Sequence, residues 1–171
     1  YRDRIRSLTR IQAKYDTSLK GVKELDAIAV YRAGGQTCIQ VFFFRSGASY
    51  GNKAYFPSHA REDSLEIVLE AFLVQFYVKA KKPEIIILSH KLSNQKLIAE
   101  ALSISVGRQV KLSHPKRGAK RKLINHALAN AVEALERRMA ENATQRSLLV
   151  NLAKTLCLSG DLERIEVYDN S

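Results

Sequence analysis

Residues 25–47 read Leu25-Asp26-Ala27-Ile28-Ala29-Val30-Tyr31-Arg32-Ala33-Gly34-Gly35-Gln36-Thr37-Cys38-Ile39-Gln40-Val41-Phe42-Phe43-Phe44-Arg45-Ser46-Gly47. Two runs of β-branched and aromatic residues flank a Gly-Gly pair. That pattern predicts a hairpin, because a two-residue turn that matches the strand twist needs positive φ at both central positions. Strands are expected at 27–31 and 37–45. Ser46-Gly47 turns the chain into a third strand, 49–56, which Pro57 ends. The three form an antiparallel meander. Alternation sets Phe43 on the face opposite Phe42 and Phe44, so the sheet must be covered on both sides.

Downstream the period becomes helical. Leu65, Val68, Leu69, Phe72 and Phe76 share one helix face, Asp63 with Glu66 resembles a capping box, and Pro83 stops the element. Residues 84–88 are Ile-rich and short, as suits a strand buried on both faces. Ser93 is the expected cap of a second helix, with Leu97, Ile98, Ala101 and Leu102 inward and Gly107 closing it. Residues 110–112 read as a fifth strand. A long helix over 119–141 turns Ile124, Leu128, Ala131, Val132, Leu135 and Met139 inward, and a last helix over 144–156 carries Leu148, Leu149 and Leu152. The order β-β-β-α-β-α-β-α is that of the ribonuclease H-like fold, an α/β architecture built on a mixed five-stranded sheet; a generic α+β sandwich is the alternative.

Outside this block, residues 1–15 are helical in pattern, with Ile5, Leu8 and Ile11 on one face and Arg2, Arg4, Arg6 and Arg10 outside. Residues 16–24 read as a linker and 142–163 as a connecting helical segment. At the other end, Ile165-Glu166-Val167-Tyr168-Asp169-Asn170 has the composition of a strand that ends in a carboxylate. A lone strand buries neither face, so residues 164–171 are expected to open a further domain of a longer protein.

The 171 residues are 46% hydrophobic, enough for a packed core. The longest helical candidate, 64–80, is interrupted by Glu66, Glu70 and Gln75, well short of the ~20 apolar residues needed to cross a bilayer. With no apolar signal core at Tyr1-Arg2-Asp3-Arg4, a cytoplasmic parent protein is expected. Cys38 and Cys157 are far apart without CxxC spacing and are expected to be buried, reduced thiols. His59, His90, His114 and His126 are isolated, so no zinc pattern arises.

The net charge of +11 is concentrated. Arg108, Lys111, Lys116, Arg117, Lys120, Arg121 and Lys122 crowd around Pro115 and Gly118 with His114 among them, and no carboxylate occurs between Glu100 and Glu133. A solvated helix face ordinarily mixes signs. A single-sign cluster at a helix start favours phosphate, through its own charge and the exposed N–H groups of the first turn. Few aromatics are interleaved, so sequence-independent contact with a nucleic-acid backbone is expected rather than base stacking.

The ribonuclease H-like fold ordinarily gathers carboxylates around two divalent metal ions. Here the middle of the first strand is Ile28-Ala29-Val30 and the fourth ends Leu88-Ser89-His90, with no acid in either. Asp26 stands at the strand entrance, where a solvated or turn position is expected. Glu66 and Glu70 lie one helical turn apart and read as a wet face. No metal site is expected within 25–141, which reads as a catalytically degenerate domain. The competing functions are a divergent metal-dependent nuclease using Asp26, Glu66 and Glu70, and a purely protein-docking module.

Several segments together resemble the UvrC subunit of the bacterial UvrABC excinuclease. Tyr1-Arg2-Asp3-Arg4-Ile5-Arg6-Ser7-Leu8 is similar to the end of its UVR motif. Leu25-Asp26-Ala27-Ile28-Ala29-Val30 with Gly34-Gly35, then Tyr55-Phe56-Pro57, Phe72-Leu73-Val74-Gln75-Phe76-Tyr77 and Pro115-Lys116-Arg117-Gly118, are similar to its central region. Arg164-Ile165-Glu166-Val167-Tyr168-Asp169-Asn170-Ser171 resembles the opening strand of its C-terminal endonuclease domain. The resemblance implies a parent protein that cuts damaged DNA on both sides of a lesion in nucleotide excision repair, through an N-terminal GIY-YIG domain and a C-terminal ribonuclease H-like domain followed by helix-hairpin-helix motifs. It implies Mg or Mn for the full nuclease, with Asp169 its first metal-binding carboxylate. It implies DNA as a partner, and UvrB as another through the hairpin to which Arg2, Ile5 and Leu8 belong. For residues 25–141 it implies an inactive ribonuclease H-like domain that joins the two nucleases.

Overall fold

The computed structural model describes residues 22–58, 63–158 and 162. The helical pattern of residues 1–15 and the strand pattern of 164–171 lie outside them. The chain divides into two units, Tyr1–Ala134 and Leu135–Ser171.

In the first unit, strands β1 (Glu24–Ala33), β2 (Gln36–Arg45) and β3 (Ala48–Tyr55) form the expected meander. Gly34 and Gly35 take φ of 55° and 70°, and the second turn places Ser46 and Gly47 at 53° and 78°. Both hairpins are thus closed by paired positive-φ residues, the geometry that continues the strand twist. β1 and β2 pair antiparallel over ten residues, from Glu24 opposite Arg45 to Ala33 opposite Gln36. The β2–β3 register shifts between Phe43 and Phe44, leaving Tyr50 as the extra residue of a bulge.

The chain then crosses to the other edge of β1 through helix α1 (Leu65–Lys79), and β4 (Ile85–Leu88) pairs parallel to β1. Helix α2 (Gln95–Val106) leads to β5 (Lys111–Ser113), parallel to β4, and helix α3 (Gly118–Thr155) follows. The sheet order is β3-β2-β1-β4-β5. Every residue of β4 is apolar because the strand has a neighbour on each edge and a helix layer on each face.

Side-chain alternation divides the core. Ile28, Val30, Ile39, Val41, Ile86 and Leu88 meet Val68, Leu69, Leu73 and Tyr77 of α1 and Ile98 and Leu102 of α2. On the other face, Leu25, Ala27, Ala29, Phe42, Phe44 and Ile87 meet Leu123, Ile124 and Ala127 of α3. Phe43 packs on the first face, as alternation requires.

Some local expectations change. The cap of α1 is Ser64 rather than Asp63; its hydroxyl accepts from the Ile67 amide at 3.3 Å. The cap position of α2 is Asn94 rather than Ser93, and the capping carboxylate comes from another helix: Glu70 accepts from the Asn94 backbone N–H and side-chain amide, each at 2.9 Å. Glu70 is therefore a cap, not a wet-face residue. The two C-terminal helices are one. Nothing from Ala119 to Leu158 is Gly or Pro, and Thr144 returns its hydroxyl to the Ala140 carbonyl at 2.9 Å without breaking the helix. In the second unit Ala153 is buried while Leu148 is exposed, so the apolar face is rotated from the one expected. Cys38 is buried, whereas Cys157 is exposed.

The largest correction concerns Asp26. It is 0% exposed, and its carboxylate accepts from Arg45 Nη1 at 2.6 Å and from the Tyr77 hydroxyl at 2.7 Å. The expectation of a solvated position failed because β1 begins at Glu24, two residues before Asp26, and α1 covers the first face of the sheet there. Burial pushes the Asp26 carboxyl above the ordinary aspartate value, against the opposing pull of Arg45 and Tyr77. The Tyr77 hydroxyl is itself held well above its ordinary value by burial and by Asp26.

Two outcomes follow for stability. Tyr77→Phe leaves one buried carboxylate oxygen short of a donor and is expected to cost about 1–3 kcal/mol in urea unfolding. Because the native carboxyl binds its proton more tightly than the unfolded one, whose value is about 3.9, the Asp26 contribution to stability falls as pH rises through the window between the two. Asp26→Asn is expected to remove that slope from unfolding midpoints measured across the acid range; an unaltered slope would contradict the assignment. Gly35→Ala isolates backbone strain, since no atom lies within 4 Å of the added methyl, and a loss of about 1 kcal/mol is expected.

Candidate nucleic-acid interface

The three carboxylates that could have formed a divergent metal centre are held apart. Asp26 is occupied by Arg45 and Tyr77 inside the sheet–helix layer. Glu70 is occupied by the start of α2. Glu66 is exposed on the first turn of α1. Among the described residues, no group of three or more His, Cys, Asp or Glu side chains could hold a metal ion. The donor set therefore does not fit the two-metal arrangement of the fold family within these residues.

The cationic residues gather where β5 runs into α3. Lys111 is exposed on β5, which is the edge strand; Lys116 and Arg117 are exposed in the loop; Lys122 is exposed and Lys120 and Arg121 are half-buried on the first turns of α3. Gly118, at φ 79°, turns the loop into the helix, a conformation open to glycine at little steric cost. No acidic residue occupies the first turn of α3, so its amide dipoles and the Lys side chains add with one sign.

Arg108 stands apart from this set. Its Nη2 donates to Glu24 Oε2 at 2.9 Å and to the Lys82 carbonyl at 2.6 Å. Glu24 also pairs with Lys81, and these cations hold its carboxyl below the ordinary value, Lys81 foremost. Arg108 thus fastens the approach to β5 onto the start of β1. In its place the fold brings Lys96. A groove of about 440 Å³ runs beside β5, lined by Gln95, Lys96, Lys111, Ser113 and Lys120 among others. Gln95 donates to the Leu112 carbonyl at 3.0 Å and so covers part of the open strand edge. Sequence spacing hid Lys96, because only the docking of α2 against β5 sets it beside Lys111; its position on the first turn of α2 was the available signal.

A second group lies at the carboxyl ends of the parallel strands. The Ser89 amide donates to the Ile28 carbonyl at 3.0 Å and the Val30 amide donates to Ser89 Oγ at 3.1 Å, so Ser89 prolongs the β1–β4 pairing by one side chain. Ser89 Oγ lies 2.9 Å from His90 Nδ1. His114 Nδ1 lies 3.0 Å from the Leu88 carbonyl, which can only accept. Burial lowers the His90 pKa, with Glu66 raising it and His114 and Arg121 lowering it further. These four groups thus share one electrostatic environment. Isolated in sequence, the two histidines come to the same end of the sheet because they follow β4 and β5, which are parallel neighbours.

Arg2, Ile5, Leu8, His59 and Asp169 lie outside the described residues. Their sequence still makes one comparison possible. Ile28-Ala29-Val30-Tyr31-Arg32 and Ile165-Glu166-Val167-Tyr168-Asp169 share Ile, Val and Tyr in register, and an arginine stands in the first where the second has its aspartate. Arg32 donates through Nε to Thr37 Oγ1 at 3.0 Å and through Nη1 to the Asp63 carbonyl at 2.7 Å.

Residues 24–138 match the family model described as the UvrC ribonuclease H-like domain. The whole chain aligns at 50% identity with the UvrABC system protein C of Rhodospirillum rubrum, covering 27% of that protein. It aligns at 50% with the protein of the same name from Paramagnetospirillum magneticum, again covering 27%. The chain therefore spans about a quarter of the length of the curated relatives it matches. Among solved structures, a chain of the PCNA:RNase HII complex from Archaeoglobus fulgidus aligns over 86% of this chain and 98% of its own, at 11% identity and a TM-score of 0.38, too loose a likeness to carry an argument. With the mixed five-stranded sheet in the β-β-β-α-β-α-β-α order, these matches establish that the chain belongs to the UvrC family and that residues 24–138 are its ribonuclease H-like domain.

Proposed function

We propose that residues 24–138 are a non-catalytic DNA-positioning module of an excision-repair nuclease, and that they set the spacing between cutting domains carried elsewhere in the parent protein. The observation that carries this reading is the cationic surface of one sign at the β5–α3 junction: Lys111, Lys116, Arg117, Lys120, Arg121 and Lys122, joined by Lys96. Such a surface gains from release of the counterions condensed on a duplex and does so without reading sequence. The engagement of Asp26 and Glu70 in structural bonds supports the non-catalytic part. Hydrolysis, with the Mg or Mn it needs, then belongs to the domain that Asp169 opens, and UvrB binding belongs to the segment containing Arg2, Ile5 and Leu8.

Neutralising Lys116, Arg117, Lys120 and Lys122 together to Gln is expected to reduce the salt dependence of duplex binding by about 3–4 in log–log slope. The loss should be equal for unrelated sequences, as fluorescence anisotropy between low and physiological salt can establish. Arg108→Ala is expected to leave that slope unchanged while lowering the unfolding midpoint, since its guanidinium serves Glu24 and Lys82. An unchanged slope in the fourfold variant would remove the interface from this surface. Cutting of labelled duplex in Mg²⁺ or Mn²⁺ by this chain, lost in Asp26→Asn, would instead establish the divergent nuclease.

A further inference from the structure

In open α/β sheets, ligands bind outside the carboxyl ends of the strands where the chain connections diverge to opposite sides. In this sheet that point lies between β1 and β4: β1 leaves by a hairpin toward β2 and β3, and β4 leaves through α2 toward β5. Ser89, His90 and His114 stand at this end, and the charges of Glu66 on α1 and Arg121 on α3 act on His90.

The hydrogen bonds narrow what each group offers. Ser89 Oγ accepts from the Val30 amide and keeps its own proton, which it can donate to His90 Nδ1. With Ser89 as that donor, the neutral imidazole of His90 carries its proton on Nε2. His114 gives its Nδ1 proton to the Leu88 carbonyl, so its Nε2 accepts when the ring is neutral and donates only when the ring is protonated. Arg121 adds a permanent guanidinium. His90, in that tautomer, and Arg121 both offer donors to an anion.

We propose that this pole binds one phosphate group of a polynucleotide backbone directly, through His90, His114 and Arg121, without a bridging divalent ion. The proposal rests on the DNA-positioning reading above and adds a contact point to it, which shares Arg121 with the cationic surface. Its charge balance has a definite sign. Among the described residues, Glu66 is the one carboxylate whose charge acts on His90, and it opposes an anion. Removing its charge should tighten binding, whereas a metal-bridged phosphate would lose a ligand and weaken.

The test uses the whole chain, with the imidazole C2–H signals of His90 and His114 assigned by single His→Gln variants. Saturating duplex DNA is expected to shift both signals. Glu66→Gln should tighten duplex binding two- to threefold, and Arg121→Gln should weaken it and lower the log–log salt slope by about 1. The fourfold Lys116, Arg117, Lys120 and Lys122 variant, at saturating DNA, should still show the histidine shifts. If duplex binds with the full slope of the lysine surface and neither histidine signal moves, the phosphate site is overturned and the positioning role stands. If the chain binds no duplex, both readings fall. If inorganic phosphate shifts the signals and duplex does not, the assignment to a polynucleotide is overturned. Weaker binding by Glu66→Gln would replace the direct contact with a metal-bridged one.

Discussion

One buried carboxylate constrains this domain. Asp26 sits on the central strand with no exposure to water, and an isolated charge there would cost several kcal/mol. It is sustained because Arg45, directly beyond its antiparallel neighbour Phe43, and Tyr77, from the last turns of α1, each supply a donor to one oxygen. The triad joins β1, β2 and α1, the three elements that the rest of the sheet builds upon. Deleting Tyr77 or Arg45 leaves one buried carboxylate oxygen without that donor, and deleting Asp26 leaves the Tyr77 hydroxyl without that acceptor. The same bonds engage both oxygens of the one carboxylate that lies within β1 beyond its first residue.

The functional consequence is an exchange of charge sign. A nuclease of this architecture needs acidic side chains to collect cations that in turn hold phosphate. In this domain Arg32 stands where the matching segment has Asp169, His90 follows β4, and His114 follows β5. The edge beside β5 adds Lys96, Lys111 and Lys120. Under the proposal, these positive and hydrogen-donating groups take the phosphate without an intermediary ion. On the proposed reading, a domain so altered holds a duplex at a fixed place without cutting it.

Much of the fold was legible because its signals are local. Gly34-Gly35 and Ser46-Gly47 announced both hairpins, the Ile85-Ile86-Ile87-Leu88 run announced a doubly covered strand, and Gly107 closed α2 in the left-handed conformation, at φ 68°. What failed was set by tertiary contact. Asp26 reads as a surface acid until α1 is laid across it. Glu70 reads as a wet face until α2 begins beside it. Arg108 belongs by spacing to the cationic cluster, yet Glu24, 84 residues away in the chain, claims it. Lys96 is invisible by spacing and adjacent in space. The last helix reads as two, 119–141 and 144–156, yet the stretch between them holds neither Gly nor Pro to end it.

The central claim is that this sheet grips a phosphate chain through its own side chains and not through divalent ions. Duplex affinity measured at constant ionic strength in EDTA, and again with Mn²⁺ added, addresses it directly. Full affinity in EDTA, with Mn²⁺ acting only as a competing cation, is the predicted result. A gain in affinity on adding Mn²⁺ that disappears in Glu66→Gln would contradict it.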